Sequence, residues 1–202
     1  MEIFYLIESI GIISFALSGF LIAVKHDMDF LGIFLISFLT ALGGGIIRDT
    51  IVDRIPLSFI DTIPALLVVL TVILSTLLKF NKKENIDRKN LFIATDAIGL
   101  SSFAISGALA AIAFEFNLFG VIILSFITAV GGGIIRDVLI NHIPLILKKD
   151  FYGTIVIIIA VTIYILESFE FLNNITIMLI FILGVIIRMI AFHHRWHIPS
   201  IK

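Results

Sequence analysis

Not one of the 202 residues is cysteine. Disulfides and thiolate metal sites are therefore excluded, and the redox compartment is left unspecified. Charge is scarce as well: Asp, Glu, Lys and Arg make up 14% of the chain against 60% hydrophobic residues, and the mean hydropathy is +1.19. Such a balance lies far outside the range of soluble domains, so an integral membrane protein is expected. The sequence has no G-x-S-x-G, H-E-x-x-H or P-loop, the motifs that would mark common soluble-type catalysis. Neither an enzyme nor a resident cofactor, a bound metal or a nucleic-acid partner is expected. The first apolar run has no positive n-region and no A-x-A-like cleavage site, so it reads as a retained transmembrane helix rather than a signal peptide.

Apolar segments dominate what is present. A helix needs about 20 residues to cross the hydrocarbon core, and candidate runs lie near 3–24, 30–52, 60–80, 92–114, 118–139, 152–170 and 175–192. The gaps between them are too short to hold a soluble domain. Leaving out Arg48 and Arg136, eleven of the remaining twelve Lys and Arg fall on one side of this arrangement if the N-terminus is outside, and Arg54 is the exception. The bias of basic residues toward the cytoplasm then predicts an inner-membrane, multi-pass protein with its N-terminus out and its C-terminus in. The stretch "HHRWH" (193–197) reads as an interfacial belt at the end of the last run rather than as a metal site.

Shifting the sequence by 88 positions superimposes residues 11–23 on 99–111 and 31–57 on 119–145 without a gap, and sets Glu8 on Asp96. Each unit holds three spans. An odd number obliges the second unit to enter the membrane from the opposite side, so the repeats are inverted. The expected fold is an all-α integral membrane protein of seven transmembrane helices, two inverted three-helix repeats plus a seventh (3+3+1). Residues 1–80 form the first repeat, 81–90 a basic cytoplasmic linker, 91–170 the second repeat, and 171–202 the seventh helix and tail. Inverted repeats of this kind are a transport architecture, with the site near the midplane.

"GGGIIRD" occurs at 43–49 and again at 131–137, in the second and fifth runs. Three adjacent glycines weaken a helix by about 1 kcal/mol each against alanine, so both runs are expected to kink or unwind at Gly43, Gly44, Gly45 and at Gly131, Gly132, Gly133. The alternative is close helix packing through small residues. Arg48, Asp49, Arg136 and Asp137 follow at membrane depth, where ionised residues are costly and face protein or a water-filled cavity. Arg48 with Asp137 and Arg136 with Asp49 are natural partners across the repeats; the alternative is a self-neutralising structural salt bridge of each Arg-Asp pair near a helix end, where arginine can snorkel. Glu8 and Asp96 are secondary candidates, together with Ser18 and Ser106 from small-residue stripes that also hold Ser14, Gly19, Ser102 and Gly107; packing is the simpler reading of those stripes.

These features, a duplicated S-F-A-x-S-G (14–19 and 102–107), the duplicated G-G-G-I-I-R-D and a tail reading "RMIAFHHRWHIP", resemble the prokaryotic branch of the trimeric intracellular cation (TRIC) channel family, which also carries a bacterial glycine-transporter label. The resemblance covers nearly the whole chain. It implies a homotrimer in the lipid membrane with a pore in every protomer, lined by the second and fifth helices, that conducts potassium and other monovalent cations in transit. Animal members have Lys-Glu-Val and bind a phosphoinositide where this chain has Arg-Asp-Thr, so lipid gating is not carried over. A carrier of a small zwitterion such as glycine is the competing function, because an arginine for a carboxylate and an aspartate for an ammonium beside a tight backbone notch make a reasonable amino-acid site.

Overall fold

The computed structural model describes residues 2–78, 80, 88–148, 151–194 and 196. The basic segment 81–87 and the tail residues Arg195, His197 and Lys202 lie outside them. Nine helices are present among the described residues: α1 (Glu2–Lys25), α2 (Phe30–Ile51), α3 (Leu57–Ile60), α4 (Ile63–Leu77), α5 (Arg88–Ala113), α6 (Leu118–Leu139), α7 (Leu145–Lys148), α8 (Gly153–Ser168) and α9 (Asn174–His193). Five of them, α1, α2, α5, α6 and α9, are long and apolar enough to cross a membrane.

The third and sixth expected spans differ from their sequence reading. Each is preceded by a one-turn helix, α3 or α7, and is shorter than expected: α4, with 15 residues, reaches only about 22 Å, and α8 has 16 residues. The break between α3 and α4 falls at Asp61, whose backbone is extended and whose carboxylate accepts from the Ile63 amide at 2.9 Å. Pro64 then occupies the first turn of α4, where a missing N–H costs nothing.

The duplication extends to individual hydrogen bonds. Asp29 caps α2 by accepting from the Gly32 amide (2.7 Å), and Asn117 caps α6 by accepting from the Gly120 amide (2.9 Å). A short polar side chain satisfies one of the orphan donors of a helix start, and both units place one there.

α1 and α5 form the centre of the molecule and pack against each other. A Cβ on Gly11 would meet Ser102, a Cβ on Gly99 would meet the ring of Phe15, and the rings of Phe15 and Phe103 stack at 5.3 Å. Contacts at 11 with 102 and at 15 with 99 require the two helices to run antiparallel. Because α1 and α5 are equivalent in the repeat, the second unit is inverted relative to the first. α2 and α6 lie against this pair and against each other, α4 and α8 flank them, and α9 packs on α5 and α8. Outward faces of α4 and α9 carry exposed Leu66, Leu70, Leu77, Leu179 and Leu183, a surface suited to lipid or to another apolar face.

Candidate functional site

The glycine triplets do not unwind their helices. α2 and α6 are helical from end to end, and the glycines serve to bring the two helices into backbone contact. A Cβ built on Gly44 would lie 2.1 Å from the Thr128 carbonyl oxygen, and one on Gly132 would lie 2.0 Å from the Thr40 carbonyl oxygen. Only a glycine Cα can occupy such a position, where Cα–H groups face carbonyl oxygens across the interface. The expected unwinding fails for a physical reason: an opened turn would leave backbone groups unpaired in an apolar setting at several kcal/mol each, whereas close approach leaves every helical bond in place. Gly19 and Gly107 act similarly, each abutting a backbone Cα, that of Ser37 and that of Ser125.

One turn beyond the crossing stand the charges, paired within each repeat as the alternative reading had it rather than across the repeats. Arg48 is fully buried. Its Nε donates to Asp49 Oδ1 at 2.9 Å and its Nη1 lies 3.0 Å from Glu8 Oε1. Arg136, equally buried, donates from Nε to Asp137 Oδ1 at 2.8 Å and from Nη1 to Asp96 Oδ1 at 3.0 Å. Ion pairs thus form within each repeat, not between Arg48 and Asp137 or Arg136 and Asp49. The reason is reach: Glu8 and Asp96 arrive from the first helix of the same unit, while the inversion sends Arg48 and Arg136 to opposite ends of the molecule.

The repeats meet through hydroxyls. Arg48 Nη1 donates to Ser106, and Arg136 Nη1 donates to Ser18 at 2.8 Å. Ser18 and Ser106 thus bond the buried arginines as well as packing between helices. Each guanidinium also lies over an aromatic ring at an equivalent position, Arg48 over Phe4 (5.6 Å) and Arg136 over Phe92 (4.9 Å), an arrangement favourable to a cation. The second oxygens of the aspartates accept from the next segment: Leu57 N to Asp49 Oδ2 and Leu145 N to Asp137 Oδ2, both 2.9 Å.

The two ends differ in their fourth charge. In the first unit Arg54 also bonds Asp49. Its equivalent in the second unit is His142, and the additional cation there comes from Arg188 of α9, which is buried and stacks on the Tyr152 ring at 4.7 Å. Tyr152 in turn interacts with Asp96. In the sequence Arg188 is one of the eleven basic residues assigned to the cytoplasmic side; its place inside the run 175–192 was the available signal that it is an intramembrane charge.

A cavity opens at each end. One, of about 500 Å³, is lined by Lys25, Lys89, Asp96, Asp137, His142 and Arg188 among apolar residues. The other, of about 320 Å³, includes Tyr5, Glu8, Ser9 and Asp61. Glu8 and Asp96 are repeat equivalents, so both cavities end on the same element of the duplicated site.

The family profile described as "Glycine transporter" matches residues 5–79 and again 93–168. The chain belongs to this family. It is 32% identical over 204 residues to the membrane protein YvgT of Bacillus subtilis, covering 96% of this chain and 95% of that one. To the inner membrane protein YadS of Escherichia coli K12 it is 32% identical over 197 residues, covering 96% and 93%. Among solved structures it matches a TRIC cation channel with a TM-score of 0.84 at 34% identity, over 98% of this chain and 96% of that one. A second match is a prokaryotic TRIC channel crystallised in 0.5 M KCl, with a TM-score of 0.89, 29% identity and coverage of 98% and 99%. A third is the TRIC trimeric intracellular cation channel orthologue of Rhodobacter sphaeroides, with a TM-score of 0.89, 26% identity and coverage of 97% and 100%. This glycine-transporter family member is thus a multi-pass membrane protein with the TRIC fold.

Proposed function

We propose that the protein is a monovalent-cation channel, with potassium as its principal ion and one pore in each protomer of a homotrimer. The observation that carries this reading is the pair of cavities at opposite ends, each ending on one of the equivalent carboxylates Glu8 and Asp96. A pore would join them past the crossing of α2 and α6. Cations are drawn by the carboxylates, and Arg48 and Arg136 do not repel them strongly because each is held against two carboxylates. At the crossing, separation of α2 from α6 would free the Thr40 and Thr128 carbonyls from the opposing glycines, and such oxygens can replace part of an ion's hydration shell. Its likeness to TRIC channels supports the same conclusion. The N-terminus is assigned to the outside, since Lys25, Lys89 and Arg188 share one end of the molecule and basic residues favour the cytoplasm.

A carrier of a small zwitterion is the second reading. It is favoured by the free donor on each arginine, for Arg48 Nη2 and Arg136 Nη2 are buried without a hydrogen-bond partner among the described residues and could take a carboxylate. Purified protein in a planar bilayer under a potassium gradient separates the two. The channel gives unitary currents of picoampere size, whereas a carrier turning over about a thousand times per second gives none and instead accumulates labelled glycine in proteoliposomes.

A further inference from the structure

His26 and His142 take no part in the charge clusters, yet they meet. His26 lies in the turn after α1, next to Asp27 with φ 51°, and His142 follows Asn141 with φ 57° in the turn after α6. Their rings are 4.8 Å apart between centroids and inclined at 75°. The turns belong to different repeats. Neither residue has a histidine as its repeat equivalent, those positions being Phe114 and Arg54, so the pair is not a product of the duplication. Nε2 of His26 is buried with no hydrogen-bond partner among the described residues. His142 is exposed and lines the 500 Å³ cavity beside Lys25 and Asp137.

We propose that His26 and His142 form a two-imidazole site for a transition-metal ion, zinc first, at the mouth of that cavity. With zinc–nitrogen bonds of about 2.0–2.1 Å and ring centroids roughly 1.1 Å farther out, two imidazoles at a tetrahedral angle place their centroids about 5 Å apart. The observed 4.8 Å meets that requirement. No third His, Asp or Glu joins them in a metal-holding group among the described residues, so water completes the shell and binding is readily reversible. Imidazole nitrogen selects zinc, copper or nickel; calcium and magnesium, which take oxygen ligands, are not retained. The bound ion ties the α1–α2 turn of one repeat to the α6–α7 turn of the other, at the end where the Arg136–Ser18 bond already joins them. Such a tie opposes any relative movement of the two halves, and under the channel reading above it lowers potassium flux.

The test is calorimetric titration of the purified full chain, its affinity tag removed, with zinc at neutral pH. Wild type is compared with His142→Gln, with His26→Gln, and with a tail variant in which His193, His194 and His197 are all glutamine. One zinc per chain is expected in wild type and in the tail variant, unaffected by excess magnesium. Each of H26Q and H142Q should weaken it at least about tenfold, a change of about 1.4 kcal/mol. Because His142 is exposed, H142Q decides the matter even if H26Q fails to fold. Undiminished binding by H142Q, loss of the site in the tail variant, or no binding at zinc concentrations near 1 mM each overturns the proposal. Potassium flux into proteoliposomes then tests the tie: zinc should slow it in wild type, a chelator should restore it, and H142Q should be insensitive. Zinc bound by the pair with flux unchanged overturns the tie alone. Protein that carries no potassium refutes the channel reading, with zinc binding still judged by calorimetry.

Discussion

Arg48 and Arg136 each hold two carboxylates of their own repeat and a serine of the other. Removing one partner of a buried pair strands a charge and costs about 3–5 kcal/mol. A double-mutant cycle on Arg136→Gln and Asp96→Asn, read by thermal unfolding in detergent, should therefore show a large coupling, with the double variant milder than the sum of its singles. The same cycle on Arg48→Gln and Asp137→Asn should give coupling near zero, since the two residues belong to clusters at opposite ends; a large value there would restore the cross-repeat pairing. That Arg48, Asp49, Arg136 and Asp137 are buried and paired was legible in the sequence, because four ionised groups at membrane depth need partners. The partnership with Glu8 and Asp96 was not, because it depends on where α1 and α5 lie, and no local pattern reports which carboxylate an arginine can reach.

At the scale of the helix, the glycines of a triplet are not equivalent. A Cβ on Gly44 would collide with the Thr128 carbonyl, while one on Gly45 meets nothing nearer than Glu8 Oε1 at 3.7 Å. Gly44→Ala should lower stability by about 1–3 kcal/mol, the usual cost of overpacking. Gly45→Ala should be neutral or stabilising by up to about 1 kcal/mol through helix propensity. If both variants lose stability equally, close approach is not what the triplet provides. Flux adds a second readout: should Gly45→Ala abolish conduction while keeping full stability, flexibility of α2 during opening is the property selected at that position. Sequence alone located the triplets and their helices and offered both a kinked or unwound turn and close packing; the helices stay wound, and packing is what the contacts show. Three glycines weaken an isolated helix, but Thr40 and Thr128 on the opposing backbone are what decide the outcome here. Shortening of the third span was equally hidden, because hydropathy continues through Ile60 and Ile63 while the backbone turns at Asp61.

For the whole molecule, the proposed orientation can be read by labelling, which the absence of native cysteine makes clean. Lys25→Cys and Thr62→Cys place thiols at exposed positions at opposite ends. In intact cells an impermeant maleimide should react with the second and spare the first; the reverse pattern inverts the topology and moves the 500 Å³ cavity to the outer face. The inverted architecture itself was legible, since an 88-residue shift with three spans per unit leaves no other arrangement. What the seventh helix contributes was not. In the first unit Arg48 and Arg54 offset Glu8 and Asp49, so that cluster is neutral before any other part of the chain arrives. In the second unit Arg136 faces Asp96 and Asp137 alone, and His142 stands where Arg54 would be; α9 delivers the missing positive charge as Arg188. The first half of the chain thus carries its own counter-charges, although Arg48 still takes Ser106 of the second repeat as a partner. The second cluster instead draws on the last span, so its stability is tied to the docking of α9 in a way that the first cluster's is not.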